Sequence, residues 1–141
     1  MPLEIEIEEE IMSDLGFKVQ LQGDFEEAEA RVRQALLDQG FGILTEIDMK
    51  GTLKKKIDVD FRPYKILGAC NPPLAYRALT AVPDAGLLLP CNVTLSQEDD
   101  GSIEVSIIDP IIMLSVGEFP ELQPVADEAG ERLQRVVETL K

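Results

Sequence analysis

The chain has 141 residues, 45% of them hydrophobic, and a net charge of −14 at pH 7. This length fits a single domain, and a negative charge of this size excludes binding to nucleic acid or to an anionic membrane surface. No apolar run approaches the roughly 20 residues of a membrane-spanning helix, and the acidic amino terminus does not resemble a secretory signal. With only two cysteines, we expect a cytoplasmic protein with free thiols.

The charge is distributed unevenly along the chain. Residues 50–77 contain seven Lys and Arg residues against two Asp residues, a net charge of +5, and the rest of the chain carries −19. A basic segment in an acidic chain can bind a small anion or the acidic surface of a second subunit, although it can also be simply solvated.

Residues 1–16 carry six carboxylates and no cation. We interpret them as an acidic amino-terminal extension, and residues 17–141 as a single domain. Within that domain, apolar and polar residues alternate in the manner of half-buried strands. Strands are predicted at residues 17–21, 43–50, 64–70, 86–97 and 103–107.

Helices are predicted between these strands from capping residues and from apolar positions three or four apart. Asp24 is expected to begin the first helix and Gly40 to follow its end, and the pair Asn71-Pro72 is a strong helix start. A short helix is predicted around residues 52–57, a single turn at residues 111–114, and a long final helix from about residue 122 to residue 140.

The resulting order, β-α-β-α-β-α-β-β-α, predicts an α+β domain with two layers. We expect a mixed five-stranded sheet covered on one face by helices. A sheet face left uncovered in a domain of this size would favour a homodimer.

Four separate blocks of the sequence resemble the family known as domain of unknown function 302. The blocks are GFGILTEID at residues 40–48, DFRPY at 60–64, GACNP at 68–72 and LLPCNV at 88–93. The resemblance runs from about Phe17 to the carboxyl terminus. It implies a two-layer α/β domain that is dimeric in relatives, and it implies no activity and no cofactor.

The candidate site with the most distinctive residues is a repeated Cys-Asn pair, Cys70-Asn71 and Cys91-Asn92. Cys70 is predicted to end the third strand just before a helix, where the helix dipole would lower the pKa of its thiol. The two thiols would lie close together if their strands pair. They would then suit a soft metal such as Cu(I) or Zn, a redox dithiol, or a nucleophile beside a bound substrate. Buried cysteine also serves as a small apolar residue.

Two further groups are weaker candidates for a ligand-binding site. Glu46 and Asp48 share the polar face of the second strand and could hold Mg²⁺ or act as acid and base, or they could simply face solvent. Arg62, with Tyr64 and Lys65, could form a pocket for a small anion, or could pair with nearby carboxylates.

Histidine is absent from the chain, which removes the most common general base and transition-metal ligand. We therefore expect a domain that binds a small ligand or a soft metal at the Cys-Asn pairs. A dimeric interaction protein that uses its segregated charge is the alternative. An enzyme with a thiol or carboxylate site ranks third.

Overall fold

In a computed structural model, residues 15–141 can be described, and the predicted extension at residues 1–16 falls almost entirely outside them. Five strands and five helices make up the described chain. The strands are β1 (Gly16–Leu21), β2 (Gly42–Asp48), β3 (Tyr64–Cys70), β4 (Cys91–Gln97) and β5 (Ile103–Ile108). The helices are α1 (Phe25–Asp38), α2 (Met49–Ile57), α3 (Pro72–Ala81), α4 (Pro110–Leu114) and α5 (Gln123–Leu140), and short 3-10 helices span Pro83–Leu88 and Pro120–Leu122.

The five strands form one sheet in the order β1-β5-β4-β3-β2. The α+β class and the predicted order of elements are confirmed. The prediction of a mixed sheet needs one correction, because every neighbouring pair of strands is antiparallel. Neighbouring strands run in opposite directions, so no two neighbouring strands are joined by the crossover connection that parallel strands require.

One face of the sheet carries the core. Because side chains alternate along a strand, β5 buries Ile103, Val105 and Ile107 on this face and β4 buries Val93 and Leu95 beside them. Helices α1 and α5 pack over these residues through their own apolar stripes. The buried residues of the two helices are Ala28, Val32, Ala35, Leu36, Val125, Ala126, Ala129, Gly130, Leu133, Val136, Val137 and Leu140.

The opposite face of the sheet, which we call the open face, is not covered by any helix of the described chain. The strand register places Tyr64, Ile66, Thr94, Ser106 and Lys18 on it. These side chains are half-buried, as expected for an antiparallel sheet with one face toward solvent.

Local sequence signals set the helix ends where they were predicted. The Asp24 carboxylate accepts a hydrogen bond of 2.7 Å from the backbone N–H of Glu27 at the start of α1. After α1, Gly40 has φ +87°, a left-handed conformation that glycine adopts without a steric penalty.

The fourth strand is shorter than predicted. Residues 86–89 do not belong to it, because residues 83–88 form a 3-10 helix and β4 begins only at Cys91, after Pro90. Proline has no N–H for a strand ladder, so it stands outside the strand. β4 itself lies inside the sheet, between β3 and β5.

Adjacent leucines in α1 provide a matched test of this packing. Leu36 is fully buried, whereas the side chain of Leu37 is 61% exposed. We expect Leu36→Ala to lower the free energy of unfolding by about 2–5 kcal/mol, and Leu37→Ala to lower it by less than about 0.5 kcal/mol. Urea denaturation of both variants measures the difference. Equal losses would show that α1 does not pack as described.

Candidate functional site

The junction of β3 and α3 brings a thiol to the end of the sheet. β3 ends at Cys70, and the next residue, Asn71, caps α3 by accepting a hydrogen bond of 3.2 Å at its Oδ1 from the backbone N–H of Leu74. The Asn71 side chain is itself buried, with 8% of the residue exposed. The chain therefore passes from strand to helix within one residue, and Cys70 sits beside the start of α3.

The second cysteine begins the strand that pairs with the strand of the first. Cys91 is the first residue of β4 and pairs directly with Ala69, the neighbour of Cys70 in β3. Cys91 is buried and Cys70 is half-buried, and neither forms a disulfide. The strand pairing on which their proximity depended is thus present.

Both cysteines line a narrow pocket of about 40 Å³. Its walls come from the ends of β3 and β4, from α3, and from the helical layer at α4 and α5. Met113, from α4, is also a lining residue, so three sulfur-bearing residues line one small space. The lining includes no carboxylate and no cationic side chain, and Asn71 is its single amide.

Burial is the main cause of the pKa shift of both thiols. It raises the pKa of Cys91 to about 11, and the negative charge of a nearby Cys70 thiolate contributes to this rise. Burial also raises the pKa of the Cys70 thiol. The predicted lowering by the start of α3 is therefore wrong, because removing a thiolate from water outweighs the helix dipole at this position.

The four predicted residues of the Cys-Asn pairs do not all meet. Asn71 lines the pocket with the two thiols. Asn92 pairs with Gly68 and lies exposed on the open face, on the other side of the sheet from Val93. A one-residue step along a strand reverses the face, which separates Asn92 from Cys91.

The predicted carboxylate pair lies at the other end of β2. Glu46 accepts a hydrogen bond of 2.6 Å from Lys65 and pairs with Arg33 at 3.2 Å, and these two cations lower its pKa. Asp48 caps α2 through a 3.1 Å hydrogen bond from the backbone N–H of Gly51. Each carboxylate therefore has a structural partner of its own.

The Arg62 guanidinium contacts a carboxylate rather than an open anion pocket. Its Nη1 lies 3.2 Å from Oε2 of Glu98. Lys65, its predicted neighbour in such a pocket, binds Glu29 at 2.8 Å and Glu46. Arg62 and Lys65 are thus both held in ion pairs. Within residues 15–141, no group of three Cys, Asp or Glu side chains could hold a metal ion.

The family profile of "Domain of unknown function DUF302" matches residues 17–140 of the chain. The chain belongs to the DUF302 family. Its structure is similar to the crystal structure of an uncharacterized conserved DUF302 protein from Bacillus stearothermophilus. The TM-score is 0.83 at 26% sequence identity, over 92% of this chain and 100% of that one. No curated protein matches this DUF302 chain, and none of its helices within residues 15–141 is long and apolar enough to cross a membrane.

Sequence reasoning missed Met113 as a pocket residue of this DUF302 domain. The pattern identified residues 111–114 as one apolar turn after Asp109-Pro110, and that turn is α4. The spacing of the apolar residues in this turn did not indicate which of them would line the pocket with the two cysteines. A contact between segments 22 and 43 residues apart depends on how the helical layer packs on the end of the sheet.

The raised pKa values predict slow thiol chemistry. At pH 8 we expect Cys91 to react with iodoacetamide on the order of 100-fold more slowly than free cysteine, because only a small fraction is thiolate. Cys70 should react faster than Cys91 and more slowly than free cysteine. Mass spectrometry of timed samples measures both rates, with urea-unfolded protein as the control. A rate at Cys91 equal to that of free cysteine would contradict this description.

The ion pairs of Glu46 with Lys65 and Arg33 should make a pH-dependent contribution to the free energy of unfolding. Lys65 and Arg33 stabilise only the charged carboxylate, so the contribution is present above the unfolded pKa and disappears as the pH falls through the lower, folded pKa. Glu46→Gln should lower the free energy of unfolding at pH 7 by at most about 1 kcal/mol. The difference from the wild type should vanish in acid. Glu131→Gln is the control, and a Glu46→Gln effect independent of pH would refute the ion-pair role.

Proposed function

We propose that this DUF302 domain binds a soft monovalent cation, Cu(I), in the pocket at the β3–α3 junction. The thiolates of Cys70 and Cys91 would be the principal ligands, and the thioether of Met113 a third. The observation that carries the proposal is that three sulfur-bearing residues line one narrow pocket.

The chemistry of the donors favours a soft ion. Thiolate and thioether sulfur select Cu(I), whereas Mg²⁺ and Ca²⁺ prefer oxygen ligands. Two thiolates underfill a tetrahedral zinc site, but Cu(I) accepts two or three sulfur ligands. The lining of the pocket offers neither a carboxylate nor an imidazole as a further ligand.

The size of the pocket supports an ion over an organic ligand. Its volume is about 40 Å³, close to the roughly 30 Å³ that one water molecule occupies in the liquid. Pockets for small organic molecules usually have volumes of about 300–1,000 Å³. The apolar walls, which include Phe41 and Leu74, would shield a bound Cu(I) ion from oxidants and from competing water.

Proton release provides the quantitative test. Because the pKa of Cys91 is raised to about 11 and that of Cys70 is also raised, both thiols are protonated at neutral pH. Binding one Cu(I) through two thiolates then releases two protons. We expect the association constant to rise by about 100-fold per pH unit between pH 6 and 8. Competition with a Cu(I) chelator of known affinity measures it, and a pH-independent affinity would contradict thiolate ligation.

Substitutions distinguish the effect of the sulfur ligands on Cu(I) affinity from the effect of side-chain packing in the pocket. Cys91→Ser and Cys70→Ser should each lower the affinity by at least about 100-fold. Met113→Leu preserves volume and should lower it by about 10-fold. Met49→Leu, on α2 and outside the pocket, is the matched control and should change nothing. Unchanged affinity in both serine variants would overturn the proposal.

The predicted homodimer stays a prediction, and it enters the proposal as a possible source of a further ligand. Sedimentation of the protein with and without Cu(I) tests this point. A monomer with one Cu(I) per chain would show that the three sulfur atoms suffice. Saturation at one Cu(I) per two chains would show that a second subunit completes the site.

A further inference from the structure

Helix α2 and the loop after it present cations and apolar side chains to solvent. α2 has no buried residue. The side chains of Ile57, Val59 and Phe61 are 63%, 43% and 40% exposed. Clusters of exposed apolar residues rimmed by polar groups mark surfaces that bind another segment or molecule. We call the exposed residues of segment 49–61 the basic–apolar patch.

Three lysines of this patch, Lys50, Lys55 and Lys56, have no ionic partner within residues 15–141. Asp58 and Asp60 both contact Lys54, at 2.9 Å and 3.3 Å. The patch can therefore accept carboxylates from elsewhere.

A groove on the open face leads to the patch. It has a volume of about 650 Å³, and its lining extends from Leu15 and Gly16, where the described chain begins, across Thr94 to Tyr64. The ring of Tyr64 lies 6.0 Å from that of Phe61, and the carbonyl oxygen of Phe61 accepts a hydrogen bond of 3.0 Å from Lys50. The groove and the basic–apolar patch are thus continuous.

The segment that precedes Leu15 in the sequence has complementary chemistry. Residues 1–14 carry six carboxylates and no cation. They also contain aliphatic and sulfur-bearing side chains, namely Leu3, Ile5, Ile7, Ile11, Met1 and Met12. Carboxylates interleaved with apolar groups match a surface on which lysines are interleaved with exposed apolar groups.

The 14 residues before Leu15 are numerous enough to reach from the start of β1 to α2. Gly16 pairs with Ile108 at one end of the sheet, whereas α2 follows Asp48 at the other end and at the opposite edge. Five strands about 4.8 Å apart and about 20 Å long give a diagonal of roughly 28 Å. Fourteen extended residues reach about 46 Å.

We propose that residues 1–14 bind in cis along the open face and place their carboxylates on Lys50, Lys55 and Lys56. The apolar side chains of the segment would then cover Tyr64 and Phe61. The contact would be held by charge and therefore weakened by salt.

A tryptophan introduced into the segment reports on this contact. The natural chain contains no tryptophan, so the emission of Ile5→Trp comes from the segment alone. We expect blue-shifted emission, protected from acrylamide quenching by about 3-fold relative to the urea-unfolded protein. Addition of 0.5 M NaCl should remove most of the protection, and emission that is solvent-exposed at every salt concentration would overturn the proposal.

The lysines provide the matched comparison. In the Ile5→Trp background, Lys50→Gln, Lys55→Gln and Lys56→Gln together should abolish the protection. Arg77→Gln, Arg135→Gln and Lys141→Gln together remove the same number of positive charges from outside the patch. They should leave the protection from quenching intact. Equal effects of the two sets would show that only net charge matters and would contradict docking on the patch.

Hydrogen exchange and dilution test the location and the cis arrangement. In the natural chain, replacing Glu4, Glu6, Glu8, Glu9 and Glu10 by Gln should speed amide exchange in α2 by roughly 5-fold. The corresponding Gln substitutions at Glu26, Glu118, Glu121, Glu131 and Glu138 should not. Unchanged exchange in α2 would refute the contact, and protection that disappears on 100-fold dilution would assign it to a second copy instead.

Discussion

The burial of one face of the sheet is the constraint on which the rest of this DUF302 structure depends. Strand alternation places Val93, Leu95, Val105 and Ile107 on that face, and α1 and α5 cover them with stripes of Leu, Val and Ala. With few aromatic residues in the chain, this interface supplies most of the apolar burial that offsets the conformational entropy of folding. The opposite face stays half-exposed because no helix within residues 15–141 covers it.

The sulfur-lined pocket follows from how this two-layer packing ends. At the edge of the helical layer, β3 turns into α3 through the Asn71 cap, and α4 closes the space from the other side. Cys70, Cys91 and Met113 come from three separate segments that meet only there. The same burial that assembles the pocket raises the pKa of its thiols, so it disfavours a free thiolate nucleophile at neutral pH, and a metal ion bound there would have to displace protons.

Strand and helix positions were predictable because local chemistry decides them. β3 begins at Tyr64 and ends at Cys70 as expected, and Asp24 and Asn71 cap their helices through the side-chain hydrogen bonds that their sequence positions suggested. The exception is the start of β4, which was predicted at residue 86 and lies at Cys91, because residues 83–88 form a 3-10 helix.

The details of the site were less predictable because they depend on contacts between distant segments. The partners of Glu46 come from α1 and β3. The packing of α4 determines which of residues 111–114 line the pocket together with the two cysteines. The direction of the thiol pKa shift required knowing how deeply the end of β3 is buried, since the helix start alone predicted the opposite sign.

The central claim is that three sulfur atoms form one metal site, and copper K-edge X-ray absorption of the Cu(I)-loaded protein tests it most directly. The account predicts Cu(I) with two or three sulfur neighbours in the natural chain, and one sulfur neighbour fewer in Met113→Leu if the thioether is a ligand. A first shell of oxygen or nitrogen atoms with no sulfur would contradict it.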